Sequence, residues 1–146
     1  MLENINKDIV EAMKSKDTLK LATLRMLKGA IDLERINKKL DKVSDEDIVV
    51  IIGKQIKTRK ESILEFEKGN RQDLIDKTNE EINILNVYMP LMLSEDEISS
   101  IVDAAISEVN ATSVKDMGSV MKLVSPKLKG KADMSLVSAI IKNKLN

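Results

Sequence analysis

Apolar residues recur along this chain at intervals of three and four, the spacing that places side chains on one face of an α-helix. The first such segment carries Leu2, Ile5, Ile9 and Met13, and a longer one runs from Ile48 to Phe66. No stretch alternates apolar and polar residues with the period of two that is typical of strands. The pattern therefore predicts an all-α protein.

Capping residues and helix breakers locate the ends of the predicted helices. Side-chain oxygens just before an apolar-periodic segment can accept hydrogen bonds from the first N–H groups of a helix. The predicted N-caps are Asp17, Ser44, Ser94, Ser113 and Asp133. Gly69 is predicted to supply the turn that ends the third helix, and Pro90 to end the fourth.

These signals predict four helices, a connecting segment and three further helices. We expect an N-terminal four-helix subdomain over residues 1–90 and a C-terminal three-helix subdomain over residues 91–146. The connecting segment, YMPLML, is apolar. We interpret it as a buried joint.

The composition limits the chemistry that the chain can perform. It contains no cysteine and no histidine, which excludes disulfides, Cys- or His-based nucleophilic catalysis and the commonest metal ligand. No glycine-rich phosphate loop is present. We expect no catalytic residue, no metal and no cofactor.

The sequence also carries no membrane or export signal that we recognise. Its longest apolar run, Ile48 to Ile52, is far shorter than the roughly 20 residues needed to cross a bilayer. The first residues, MLENINKD, lack the basic and then apolar layout of a signal peptide. We expect no membrane partner and a cytoplasmic location.

Charge is unevenly distributed although the formal net charge is zero. Residues 91–109 hold five carboxylates and no lysine or arginine, whereas residues 110–146 hold seven lysines and two aspartates. Such asymmetry is typical of a phosphate-facing surface, and a merely solvated lysine run is the alternative. Arg59 lies on the apolar face of the third helix. It is interpreted as a snorkelling side chain or an interhelical ion pair with Glu34 or Glu81, with an anion contact as the alternative.

Three runs of sequence resemble a known family. The run DMGSVMKLVSPKLKGKADMSLVSAIIKNKL is similar to the tail domain of the GatB/YqeY family. The runs LATLRMLKGAIDLER and RKESILEFEKGNRQDLIDKTNEEINILNVYMP resemble its stand-alone YqeY branch. The resemblance covers essentially the whole chain and implies an all-helical protein with two subdomains.

The same resemblance carries an expectation about function. GatB is part of the glutamine-dependent amidotransferase that acts on misacylated Glu-tRNA(Gln) or Asp-tRNA(Asn), and its tail domain contacts the tRNA. Its transfer and activation sites lie in a large domain that has no counterpart among these residues. The family label, carbon–nitrogen ligase with glutamine as amido-N-donor, thus finds no support in individual side chains. The resemblance implies a tRNA-binding or tRNA-metabolism-associated protein without catalysis of its own.

The candidate RNA site lies between the last two predicted helices. The positions that match the tail motif of the family are Gly118, Met121, Lys129, Gly130, Lys131, Ala132 and Asp133. Pro126 and Gly130 are expected to set a bend there. The lysines expected to face tRNA phosphates are Lys122, Lys127, Lys129 and Lys131. Asp133 is better explained as a helix cap than as an RNA contact.

Two alternative functions are retained. The first is a protein-interaction module that docks a partner through its apolar joint or its acidic fifth helix. The second is an accessory subunit whose tail serves a true amidotransferase.

Overall fold

The computed structural model describes residues 1–146 and is built from seven α-helices and one 3₁₀ turn. The helices are α1 Leu2–Ser15, α2 Thr18–Asn37, α3 Asp45–Lys68, α4 Gln72–Asn86, α5 Glu95–Val109, α6 Met117–Leu128 and α7 Met134–Leu145. The 3₁₀ turn, Val114–Asp116, directly precedes α6. The prediction of an all-α protein is confirmed. None of the helices combines the length and the apolar character needed to cross a bilayer.

Capping side chains begin four of the helices as predicted. The caps of α2, α3, α5 and α7 each accept a hydrogen bond from a backbone N–H in the first turn: Asp17 from Lys20, Ser44 from Asp47, Ser94 from Glu97 and Asp133 from Ser135. At the 3₁₀ turn, the Asp116 carboxylate accepts from the N–H groups of Thr112 and Ser113. These bonds stabilise its charged form and hold the pKa of Asp116 below its usual range.

The end of α3 differs from the prediction in one residue. Gly69 stands at the C-cap with φ −89°, whereas the left-handed conformation falls on Asn70, with φ 54°. Asparagine tolerates this conformation because its short polar side chain can bond locally. The Arg71 N–H then reaches back to the Phe66 carbonyl at 3.0 Å.

The chain divides into two compact units, Met1–Met89 and Pro90–Asn146. The first contains α1 to α4 and the second contains α5 to α7. The core of the first unit is built from Ile5, Leu27, Ile31, Val43, Ile48, Ile52, Ile56, Ile82 and Leu85. That of the second unit is built from Ile98, Val102, Ala105, Val120, Val124, Leu128, Ala132, Val137, Ile140, Ile141 and Leu145. Both cores are aliphatic.

The segment between α4 and α5 is not the buried joint that its apolar sequence indicates. Met89 packs against the core of the first unit and Leu93 against that of the second. Leu91, midway between them, is 99% exposed. With Pro90 stopping α4, the segment has no helical face that could bring all of its apolar side chains to one core.

The interpretation of Arg59 as a structural ion pair is confirmed. Its guanidinium is largely buried, and Nε donates to Glu81 Oε2 at 3.0 Å, joining α3 to α4. Nη1 also donates to the Gln55 carbonyl, 3.4 Å away. The other suggested partner, Glu34, pairs with Lys38 instead. Since Arg59 is engaged inside the fold, the anion-contact alternative is not supported.

A second hydrogen bond between side chains links α1 to the end of the first unit. The Tyr88 hydroxyl donates to the Asp8 carboxylate, linking α1 to the residues that follow α4. Burial raises the pKa of Tyr88, and the hydrogen bond to Asp8 and its negative charge raise it further.

We predict that Tyr88 ionises at higher pH in the folded chain than in the urea-denatured chain, where its pKa is about 10. A raised folded-state pKa stabilises the fold below the unfolded pKa, and this contribution is lost as pH rises through the folded value. Tyr88 is the only tyrosine and the chain has no tryptophan, so tyrosinate absorbance reports this group alone. Asp8→Asn should lower the midpoint, whereas Glu3→Gln on the same helix should leave it unchanged. Equal midpoints for folded and denatured wild type would contradict the assignment.

Candidate nucleic-acid interface

The predicted bend lies between α6 and α7, over residues 129–133. Gly130 is buried and has φ 75°, the left-handed region that glycine enters without steric cost. Around it, the N–H groups of Lys131 and Ala132 both donate to the Leu128 carbonyl, at 2.9 and 3.1 Å. These bonds provide donors for the Leu128 carbonyl at the end of α6, and they fix the direction in which the chain leaves the helix.

Two further contacts hold the bend to the rest of the second unit. The Lys131 carbonyl accepts a hydrogen bond from the Leu93 N–H at 2.9 Å, which ties the bend to the residues before α5. Ala132 is 6% exposed and belongs to the core, and Asp133 caps α7. The backbone that carries the lysines is therefore anchored on both sides of Gly130.

Pro126 does not form part of this bend, contrary to the prediction. It lies inside α6, which continues through Leu128. Proline removes the N–H that would bond to the carbonyl four residues earlier, that of Lys122. Because the side chains of Lys122 and Pro126 are both exposed, this carbonyl lies on the solvent side of the helix, where the lost bond is tolerated.

The four candidate lysines do not form one group. Lys127, Lys129 and Lys131 are exposed and lie within five residues that include Gly130. Lys122 is also exposed, but five residues before Lys127 it points about 140° away around α6. The geometry thus keeps three of the four lysines as one candidate surface, which we call the bend lysines.

Gly118 does not have a structural role like that of Gly130. It lies in the first turn of α6, is exposed, and a Cβ built on it would meet no atom within 4 Å. Nothing in this chain requires glycine at that position. The predicted structural motif therefore reduces to Gly130, Ala132 and Asp133.

The charge asymmetry along the sequence is partly cancelled in space. Lys144 of α7 pairs with Asp103 of α5, with Nζ and Oδ1 2.8 Å apart. By contrast, Lys127 and Lys131 take part in none of the salt bridges found. Charge counting along the chain cannot detect such a pairing, because it depends on how α5 and α7 pack.

Comparison with known proteins decides the family. The chain matches the family described as "Yqey-like protein" over residues 2–145. It belongs to this family. The predicted membership is confirmed, including the resemblance to the stand-alone branch.

Several fungal proteins named "Altered inheritance of mitochondria protein 41, mitochondrial" are similar to this YqeY-like chain. That of Vanderwaltozyma polyspora is 28% identical over 146 residues, covering 96% of this chain and 79% of the relative. That of Pyrenophora tritici-repentis is 32% identical over 90% of this chain and 73% of the relative. That of Lachancea thermotolerans is 36% identical over 73% of this chain, but the match spans 58% of the relative's length.

These names correct the expected cytoplasmic location. All three relatives are named as mitochondrial proteins, which contradicts the cytoplasm as the default. The expectation depended only on signals that the sequence lacks. A missing signal does not identify a compartment.

We predict that Gly130→Val destabilises the second unit by about 1–3 kcal/mol, the usual cost of a non-glycine residue held in a strained backbone conformation. Gly118→Ala is the control, since it lies in a helix with open space around it and should stabilise by about 0.5–1 kcal/mol. Urea unfolding followed by circular dichroism measures both changes. Equal stabilities for Gly130→Val and wild type would show that the bend does not need glycine.

Proposed function

We propose that this YqeY-like protein binds the phosphate backbone of structured RNA, with tRNA as the first candidate, through the bend lysines. The observation that carries the proposal is a bend fixed by the buried, left-handed Gly130 with exposed lysines on both of its sides. The similarity of residues 116–145 to a tail domain that contacts tRNA supports the choice of RNA.

The proposed contact works by charge and shape. Each lysine that neutralises a phosphate releases condensed counterions, which makes the affinity depend steeply on salt. A fixed backbone reduces the ordering cost of binding, because the positions from which the lysines project are already set. The second unit contains no aromatic residue, so base stacking does not contribute there. The protein then recognises the phosphate backbone and the shape of the RNA and does not read single-stranded bases.

We further propose that the chain binds without performing amide transfer itself. Its 146 residues supply no histidine or cysteine, and the buried cation Arg59 is held in an ion pair. An accessory role beside a true amidotransferase is compatible with this proposal, because the tail would then present RNA to another protein that carries the active site.

A protein-interaction module is the second candidate function, favoured by one observation. Leu91, in the apolar connecting segment, is 99% exposed, so the chain itself covers almost none of this side chain. An apolar surface of a partner would cover it. Such an interface would be far less sensitive to salt than phosphate binding.

We predict that replacing Lys127, Lys129 and Lys131 together by alanine weakens tRNA binding and its salt dependence. The slope of log affinity against log salt should flatten by up to about 0.9 for each lost phosphate contact, a value measured on B-DNA. Titration of total tRNA and mitochondrial tRNA at two salt concentrations measures the change. Helical content should stay constant because the three side chains are exposed.

The matched control replaces Lys54, Lys57 and Lys60 by alanine. These three lysines are exposed on α3, and their replacement removes the same amount of charge. This control should keep most of the affinity and the wild-type slope. Equal losses in both variants would indicate unspecific attraction, and unchanged binding in the bend variant would rule out the proposed site. If tRNA does not bind, and a protein partner that the wild type binds is lost when Leu91 is replaced by serine, the second candidate function replaces the first.

A further inference from the structure

The outer face of α2 carries an apolar stripe with the spacing of a coiled coil. Ala22, Met26, Gly29, Leu33 and Ile36 follow one another at intervals of four, three, four and three residues, as the a and d positions of heptads do. All five are exposed, and the large side chains at 26, 33 and 36 are 58–62% exposed. The buried side of the helix is formed by other residues: Thr23, Leu24, Leu27 and Ile31. Thus α2 has two apolar faces: the chain covers one of them and contacts the other at Met26, whose Sδ accepts a hydrogen bond from Arg59 Nη2 at 4.0 Å.

Gly29, at the centre of this stripe, has no explanation within the chain. A glycine in a helix interior costs about 0.5–1 kcal/mol relative to alanine. A Cβ built on Gly29 would meet no atom within 4 Å, so no neighbouring element requires its absence. Close approach by the backbone of another helix would require it.

The positions of the stripe are spaced almost symmetrically about Gly29, which fits a second copy of the same chain as the partner. In an antiparallel pair centred there, Ala22 would face Ile36 of the second copy, and Met26 would lie beside its Leu33. The small Ala22 would then meet the large Ile36, and Gly29 would meet Gly29 on the axis, where the two backbones come closest. We propose that α2 pairs antiparallel with α2 of a second copy, crossing at Gly29, to form a two-fold symmetric homodimer.

Charge supports both the partner and its direction. Arg25 and Asp32 lie on the same edge of the stripe, seven residues apart, and neither belongs to a salt bridge found within the chain. A two-fold axis at Gly29 brings Arg25 of each copy beside Asp32 of the other, giving two ion pairs. In a parallel two-fold pair the same edge of the two helices lies on opposite sides of the contact, so Arg25 of one copy would not meet Asp32 of the other.

The neighbouring surface leaves room for this contact. An open groove of about 410 Å³ runs between α1 and α2, with Ile9 and Val10 on one wall and Arg25, Gly29 and Asp32 on the other. Side chains of the second copy would enter it on both sides of the axis. Two helices of this length bury less area than a standard interface of roughly 1,600 Å², so the dimer should be weak and concentration-dependent.

Sedimentation equilibrium of the full chain tests the dimer over roughly 1 μM to 1 mM, the range in which weak complexes dissociate. The average mass should rise with concentration from 16.3 kDa towards twice that value. Leu33→Glu should remain at the monomer mass. Leu64→Glu is the matched control, because Leu64 on α3 is also 58% exposed, and it should associate like wild type.

Charge exchange tests the direction of the pair. Arg25→Asp and Asp32→Arg should each weaken self-association by about tenfold, because each turns both ion pairs into repulsions. A mixture of these two variants should associate again, since every facing pair in the mixed dimer is then Asp with Arg. Loss in both variants without recovery in the mixture would overturn the antiparallel arrangement. A wild-type mass that stays at 16.3 kDa at every concentration would overturn the dimer itself and assign the stripe to a different occupant.

Discussion

The second unit depends on one backbone constraint: Gly130 is buried in a left-handed conformation between α6 and α7. This conformation lets the chain reverse immediately after Leu128, so that Ala132 returns to the core and Asp133 caps the next helix. The Lys131 carbonyl is thereby placed to receive the N–H of Leu93. Any residue other than glycine at position 130 would have to adopt the left-handed backbone conformation against its steric preference. The contacts of Lys131, Ala132 and Asp133 would then shift together.

Features that depend on local chemistry could be predicted from the sequence. N-caps such as Asp17 and Ser94 act within one turn of the backbone, so their spacing alone is sufficient. The helical period also placed Arg59 on an apolar face, where an unpaired charge would be costly, and Glu81 satisfies it. Pro126 and Gly130 together predict a bend, but the position of a glycine in the sequence does not reveal its φ angle.

Features that depend on packing or on solvent could not be predicted. Pro126 is a helix breaker by propensity, yet α6 continues past it because the carbonyl that loses its donor faces solvent. Leu91 is apolar but remains exposed, since neither core reaches it. The pairing of Lys144 with Asp103 joins residues 41 positions apart and neutralises one of the seven lysines of residues 110–146. Each outcome is decided by three-dimensional neighbours.

In the proposed binding mode the bend lysines face RNA phosphates, while the outer stripe of α2 serves a separate contact. Lysine acetylation with and without tRNA, read by peptide mass spectrometry, tests this binding mode because each lysine reports its own accessibility. We expect tRNA to protect Lys127, Lys129 and Lys131, whereas Lys54 and Lys57 on α3 should remain equally reactive. Protection spread evenly over all exposed lysines, or confined to the first unit, would contradict it.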